Sequence, residues 1–248
     1  MKRVAIVQSN YIPWKGYFDL IGSVDEFILY DDVQYTNNDW RNRNLIKTPQ
    51  GLHWLTVPVR ISGRFQQLIH ETEIAGSHWT KGHWKSLQLN YQRTPFFAAY
   101  ESELRHFYME QEFSHLSVLN RTFICWVMEK LGIRTHLSSS QNYVLEGDRN
   151  QRLVNLCRQA GATEYISGPA AREYLDETLF AQSGIHVTWF DYSNYPPYPQ
   201  KWGAFEHGVT VLDLLFNMGP SSSRYLKSGC IKDYDTPISP TPPGSDHA

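Results

Sequence analysis

The hydrophobic pattern begins with a strand, a turn, a helix and a second strand. Residues 3–8 form an apolar run of strand length, residues 16–24 have the apolar spacing of a short helix, and residues 26–34 start as another buried strand. This order predicts an α/β fold whose first two strands are parallel. The turn after the first strand and the acidic end of the second would then lie at the carboxyl edge of the sheet, where open α/β sheets bind ligands.

A hairpin and a helical block are predicted to follow. Residues 44–59 contain two strand patterns joined by residues 48–51, TPQG, which is a favourable turn sequence. Helical patterns then occupy about residues 77–132, introduced by cap residues or proline and stopped by a glycine. This block is predicted to be a helical insertion or subdomain of the α/β fold.

The last third of the chain returns to alternating strands and helices. Strand patterns and helical patterns alternate at residues 134–139, 148–161, 163–168, 176–184, 185–192 and 210–219. Residues 1–232 are therefore predicted to form a single α/β domain with a largely parallel sheet. Residues 233–248 are rich in Pro and Ser and lack apolar periodicity, which predicts a flexible tail.

Composition narrows the class of protein. The net charge of −2 without long runs of one sign argues against a surface that coats nucleic acid. No segment approaches the roughly 18 apolar residues of a membrane span, and the first apolar run is too short for a signal peptide. Three widely spaced cysteines are typical of reduced thiols. Together these features predict a cytoplasmic protein that binds a small-molecule substrate.

The segment after the first strand, residues 8–17, combines amide groups with aromatic rings. Its proline disfavours helix at the preceding residue, so we expect an ordered loop. Gln8 and Asn10 offer amide donors and acceptors, Tyr11 a hydroxyl group and Trp14 a flat ring. Tyr11 is a catalytic candidate and the other three are substrate-binding candidates. The alternative is that the rings pack the helix onto the sheet.

Two carboxylates end the second predicted strand. Asp31 or Asp32 could act as a base, hold a ligand hydroxyl or bind a divalent cation. Neighbours in a strand point to opposite faces, so only one of the pair would face a given crevice. Gln34 is a further substrate-binding candidate. The alternative is a simple turn stabilised by an aspartate side chain.

Alternating arginines and asparagines follow. If the chain is extended, Arg41 and Arg43 point one way, and Asn42 and Asn44 the other. Two guanidinium groups on one side form an anion clamp, to which Lys47 would add a third positive charge. We predict that this cluster, with Asn42, holds a phosphate-bearing sugar or an activated acyl donor. The alternative is a solvated, charged strand edge.

The first predicted helix of the helical block contains a histidine and lysines. His83 is a candidate general base because its ordinary pKa is near neutral, and Lys81 is a substrate-binding candidate. A structural histidine is the alternative. Motifs such as HExxH, CxxC, a Walker loop, GxGxxG and GxSxG are absent from the sequence, so no metal ligands are assigned.

Several separated segments together resemble the WbqC-like protein family. They are residues 8–21, 31–47, 55–59, 79–91, 162–168 and 211–219. The resemblance implies a place in bacterial surface-polysaccharide (O-antigen) biosynthesis and a transferase that puts glycine or another acyl group on a sugar. Ser9 stands where many members have proline, which concerns the stiffness of the loop.

The first unit is also similar to that of nucleotidylyltransferase-like α/β folds. Those enzymes hold nucleotide phosphates with a T/HxGH motif. Here Tyr17 follows Gly16 in place of the final histidine. This departure disfavours a standard nucleotidyl transfer.

The leading hypothesis is an acyltransferase, with glycyl or aminoacyl groups included, that acts on a sugar or nucleotide-sugar. Asp31 or Asp32 would deprotonate the acceptor, with His83 as the alternative base. If the acyl group is activated by the same protein, ATP and Mg²⁺ are required. One rival is a nucleotidyltransferase-like enzyme that adenylylates a small substrate. The other is a non-enzymatic binding protein of the polysaccharide assembly machinery.

Overall fold

A five-stranded parallel sheet organises residues 1–228, the part of the chain that the computed structural model describes. The predicted tail and Cys230 lie outside those residues. The strands of this sheet are β1 (Arg3–Val7), β2 (Glu26–Leu29), β5 (His136–Ser139), β6 (Glu164–Ser167) and β7 (His186–Trp189). A separate antiparallel hairpin consists of β3 (Arg43–Thr48) and β4 (Gly51–Thr56). The mixed α/β class, the parallel sheet and the hairpin are thus confirmed.

Seven α-helices lie between or beside these strands in the described range. They are α1 (Lys15–Gly22), α2 (His78–Tyr91), α3 (Phe97–Met109), α4 (Leu116–Lys130), α5 (Arg149–Gln159), α6 (Glu177–Gln182) and α7 (Val211–Met218). Short 3-10 helices cover Ile69–Glu71, Ser140–Asn142, Pro169–Glu173 and Gly219–Tyr225. Among these helices none is long and apolar enough to cross a membrane.

The strand order places a crevice beside β1. The sheet runs β5-β2-β1-β6-β7, so the chain proceeds outward from β1 on one side and then restarts with β6 on the other. The hairpin and helices α2 to α4 are inserted between β2 and β5. In open α/β sheets, ligands bind at the carboxyl ends of the strands where the order reverses. The loops after β1 and β2 lie at this edge.

Apolar residues cover both faces of the sheet, so its strands are buried on both sides. On one face, Ala5 packs with apolar residues of α1, α4 and α7 and of the inserted hairpin. On the other face, Val4 and Ile6 pack against α5 and α6. Cys157 is buried in the second layer, whereas Cys125 is exposed on α4. The core thus fixes the sheet, and the inserted elements build one wall of the carboxyl edge.

Candidate ligand-binding and catalytic site

The loop after β1 is ordered and strained. Ile12 has a φ of 36°, a left-handed conformation that is costly for a β-branched residue. The buried Asn44 side chain holds it by donating hydrogen bonds to the carbonyl oxygens of Tyr11 and Ile12, at 3.1 and 3.0 Å. The Tyr11 N–H donates to the Trp40 carbonyl at 3.0 Å. The hairpin therefore fixes the loop in a conformation that its own sequence disfavours.

Asp31 ties the end of β2 to the same loop. The buried Asp31 carboxylate accepts the Ser9 N–H at 2.8 Å. Burial raises the pKa of Asp31, and the Ser9 hydrogen bond opposes that shift. Asn120 of α4 donates to the Ser9 hydroxyl at 3.1 Å and to the Arg41 carbonyl at 2.9 Å. Asp31 is therefore committed in part to positioning the loop.

Asp32 has different partners from Asp31. The Ser140 hydroxyl donates to the Asp32 carboxylate at 2.5 Å. The His70 Nδ1 lies 3.1 Å from the Asp31 carbonyl oxygen and 3.4 Å from a carboxylate oxygen of Asp32. Sequence analysis missed His70, which stands 39 residues from the carbonyl that it contacts. No local motif around it indicates this pairing.

The unpaired polar atoms of the interior concentrate in this region. Within residues 1–228, seven buried side-chain atoms have no hydrogen-bond partner of normal geometry in the protein: Asn10 Oδ1, Tyr35 Oη, Arg41 Nε, Asn42 Oδ1, Arg43 Nε, Gln67 Oε1 and Asn120 Oδ1. All seven lie on the loops after β1 and β2 and on β3, or on residues that hydrogen-bond to them. Buried polar atoms are normally satisfied by protein, water or ligand. Their concentration here marks a candidate ligand site.

Both arginines act electrostatically on Tyr35. Burial raises the pKa of Tyr35 to about 12, and the nearby positive charges of Arg43 and Arg41 oppose that shift. The Arg43 guanidinium stacks on Trp54, 4.2 Å from its ring centre. Arg41 pairs with Asp39 at 3.1 Å, and its charge also lowers the pKa of Tyr17, which burial raises. Both positive charges thus act on the same buried hydroxyl, and the anion clamp stays a prediction.

A pocket of about 280 Å³ adjoins this cluster; we call it the tryptophan pocket. It is lined by Asn10, Pro13, Trp14, Trp40, Asn44, His207 and Gly208. The Trp14 ring packs so closely on the next turn that a Cβ at Gly16 would lie 2.3 Å from it. Flat indole rings beside a few polar groups are typical of sites for sugars and bases. The structure therefore brings Asn10 and Trp14 together as predicted.

Lys15, which sequence analysis did not select, contacts the segment of residues 195–205, which precedes the pocket residues His207 and Gly208. Its ammonium group donates to the Pro196 carbonyl at 3.1 Å. It also lies 5.2, 5.1 and 5.6 Å from the ring centres of Tyr195, Tyr198 and Phe205. Burial lowers the pKa of Lys15 to about 8. These contacts hold residues 195–208 against the start of α1.

Tyr11 and His83 form a buried hydrogen-bonded chain instead of facing a cleft. The His83 Nε2–H donates to the Thr56 carbonyl at 3.1 Å, and Nδ1 accepts the Tyr11 hydroxyl at 2.9 Å. The Tyr11 oxygen lies 2.6 Å from the Tyr108 hydroxyl, which must then donate to it. Burial lowers the pKa of His83 to about 4. The structure gives both residues a packing role in place of the predicted catalytic one.

Three predicted binding residues lie elsewhere. Lys47 is buried under the segment that precedes α7, where its ammonium donates to Gln200 at 2.8 Å. Lys81 is exposed in a different groove, which residues of α2 line together with the segment that follows α3. Gln34 is exposed and donates to the Phe65 carbonyl at 2.8 Å. None of these three side chains lies with Arg41 and Arg43, because each contacts or lines another part of the molecule.

The remaining two candidates, Asn42 and Gln8, form hydrogen bonds to neighbouring segments of the chain. The Asn42 amide donates to the Val57 carbonyl at 2.9 Å, which joins the hairpin to the segment after it. Gln8 is half-buried at the end of β1, and its carbonyl oxygen accepts the Tyr17 hydroxyl at 3.0 Å. Tyr17, at the position of the absent histidine, is therefore used to brace the loop.

Together, the fold and these side chains define a mixed α/β protein with a candidate ligand site at the carboxyl edge of its sheet. Residues 8–225 match the model of the WbqC-like protein family, and the chain belongs to that family. It is 55% identical over 227 residues to a Mycobacterium tuberculosis (strain ATCC 25618 / H37Rv) protein described as "Uncharacterized protein Rv1507c". The match covers 92% of this chain and 98% of that protein. No solved structure matches the chain.

Proposed function

We propose that the protein is an acyltransferase that places a glycyl or other acyl group on a sugar or nucleotide-sugar. The process would be the synthesis of bacterial surface polysaccharide or a related glycan. The observation that carries the proposal is the concentration of unpaired buried polar atoms on and around the loops after β1 and β2, one of which, Asn10 Oδ1, belongs to a residue of the tryptophan pocket. These atoms include both donors and acceptors. A sugar phosphate offers hydroxyl groups, phosphate oxygens and an apolar ring face, and so complements all of them.

The arginine pair supports binding of a phosphate group. Arg41 and Arg43 each keep a buried Nε without a partner of normal geometry. Guanidinium groups bind phosphate through paired N–H donors. Trp14 and Trp40, which line the tryptophan pocket, would pack on the sugar ring or the base. The phosphate and the ring would thus be held by adjacent parts of one site.

The proposed chemistry joins an amine of the acceptor to an activated acyl carbon. The new carbon–nitrogen bond forms while the bond from the acyl carbon to its leaving group breaks, and the leaving group departs with the bonding electrons. The amine loses one proton to a base, and donors stabilise the oxyanion of the transition state. If the acyl group enters as a free amino acid, ATP and Mg²⁺ supply its activation.

One assay separates this proposal from its rivals. The purified protein would be incubated with ATP, Mg²⁺, single amino acids and UDP-glucosamine, and the products followed by mass spectrometry. We expect a mass gain on the sugar equal to an amino acid minus water. Pyrophosphate release without that gain would instead support adenylylation. Retained UDP-glucosamine binding with no product under any donor would support a non-enzymatic binding protein.

A further inference from the structure

An open groove of about 640 Å³ lies beside the end of β2; we call it the His70 groove. Its lining includes Gly63, Phe65, Gln67, His70, Glu73 and His115. The segment that carries Gln67 and His70 runs alongside the chain after β2. The Tyr35 N–H donates to the Gln67 carbonyl at 2.9 Å, and the Ile69 N–H donates to the Val33 carbonyl at 3.0 Å. The groove therefore adjoins the segment that follows β2. That segment also contains Tyr35, on which the charges of both arginines act.

The hydrogen bonds of His70 determine which ring nitrogen is available. Its Nδ1 faces the Asp31 carbonyl oxygen and the Asp32 carboxylate. Oxygens of these two kinds only accept, so Nδ1 carries the hydrogen. The Nε2 of the neutral ring then has a lone pair, and no group in residues 1–228 hydrogen-bonds it.

The His70 groove favours an amine as its ligand. Gln67 contributes a buried Oε1 that accepts no hydrogen bond of normal geometry, and an amine N–H group can donate to it. Two glutamates, Glu71 and Glu73, line the groove. Both Arg64 and Arg60 pair with Glu73, at 2.9 and 3.4 Å. When Asp32 beside the ring is counted, three carboxylates face two guanidinium groups. Acceptor oxygens and the remaining negative charge attract an amine, whose neutral form is the one that reacts.

We propose that the His70 groove holds the acceptor amine, that His70 takes its proton, and that Asp32 is the positioning residue. This inference rests on the proposed acyl transfer. The amine proton moves to Nε2 as the nitrogen attacks the acyl carbon, and the bond to the leaving group breaks. The imidazolium later gives the proton to the leaving group or to water. The charged or titratable side chains around His70 are Asp32, Arg64, Glu71, Glu73 and His115, with Arg60 paired to Glu73. The Asp31 carboxylate and His70 also interact electrostatically.

A binding experiment tests the groove independently of any activity. The full chain would be labelled with ¹⁵N-histidine, and the His70 ring signals assigned with His70→Asn. We expect the neutral ring to carry its hydrogen on Nδ1 and its lone pair on Nε2. D-glucosamine should shift the Nε2 signal, and D-glucose, which lacks the amine, should not. Equal responses to both sugars, or none, would overturn the amine site whether or not transfer is observed.

A kinetic experiment tests the proton transfer. We expect His70→Asn to lower the transfer rate by about 10²- to 10⁴-fold and to remove the rise of rate with pH, as loss of a general base does. Asp32→Asn should weaken the preference of the ring for the Nδ1–H tautomer in the ¹⁵N spectrum, because Nδ1 loses one of its two acceptors. His186→Asn, at an exposed position on β7, is the control. An unchanged rate and pH profile in His70→Asn would refute the role of His70. No transfer in the wild type, with the glucosamine shift retained, would instead refute the transferase proposal.

Discussion

His83 and His70 are two partly or fully buried histidines with different roles in the molecule. Each ring donates from one nitrogen to a backbone carbonyl oxygen. The second nitrogen of His83 accepts the Tyr11 hydroxyl inside the core, whereas that of His70 has no partner in residues 1–228. The core histidine is therefore saturated, and the groove histidine keeps a lone pair for chemistry. What distinguishes a structural from a reactive histidine here is whether the fold occupies both nitrogens.

The comparison extends to the surroundings of each ring. Around His83, every hydroxyl of the chain from Thr56 to Tyr108 finds a partner. Around the loops after β1 and β2, seven buried polar atoms do not. Native proteins leave few such atoms without reason. The region with unsatisfied groups is therefore the one that we expect to bind a ligand, and the saturated region is the one that supports the fold.

Acidification should affect the His83 region most. Its folded-state pKa of about 4 lies below the ordinary 6.5, so the unfolded chain takes up a proton at higher pH than the folded chain. Stability is then lost as pH falls from about 6.5 to 4, by about 3 kcal/mol in total. Urea denaturation at several pH values would measure this loss. His83→Gln should be less stable at pH 7 but less sensitive to acid; equal sensitivity in both proteins would contradict the prediction.

Loss of either arginine should weaken the ligand site without disturbing the core. Arg41→Ala and Arg43→Ala should each reduce the free energy of UDP-glucosamine binding by about 1.5–3 kcal/mol, since each removes charged hydrogen bonds. Calorimetric titration would measure the change. Arg105→Ala, whose guanidinium is on the surface next to Glu110, is the matched control. Unchanged affinity in the two site variants, with unchanged stability, would show that no anion clamp exists.

Removing the Tyr11 hydroxyl tests the hydrogen-bonded series that runs from Thr56 through His83 and Tyr11 to Tyr108. Tyr11→Phe leaves His83 Nδ1 and the Tyr108 hydroxyl without their partner. We expect the free energy of unfolding to fall by about 2 kcal/mol, because unsatisfied buried groups keep their desolvation cost. Affinity for UDP-glucosamine should stay as in the wild type. If Tyr11→Phe keeps wild-type stability but loses affinity, the packing role is wrong and Tyr11 belongs to the ligand site.

The smallest expected effect concerns the rim of the tryptophan pocket. Trp40 is 44% exposed and lies 5.4 Å from Trp54, ring centre to ring centre. Trp40→Ala should weaken UDP-glucosamine binding by about 1 kcal/mol through loss of ring contact. Leu52→Ala removes another exposed apolar side chain, on β4, and should leave binding unchanged. The same loss in both variants would point to a general effect on the hairpin.

Local pattern was sufficient for the elements of the fold. Apolar periodicity located the strands and helices, and residues 48–51 located the hairpin turn, because these features depend on neighbours along the chain. It also gave the prediction that Arg41 and Arg43 point one way, which required an extended chain; Arg41 instead lies in the turn before β3.

The sequence by itself thus determined the α/β class, the largely parallel sheet and the hairpin. Only the tertiary structure decided the partners. It brought His70 behind Asp32 from 38 residues away along the chain, placed His83 in the core and carried Lys47 away from the arginines to Gln200. The physical reason is that alternation tells which face a side chain takes, whereas its partner depends on how distant segments pack. The lone pair of His70 is a property of that packing.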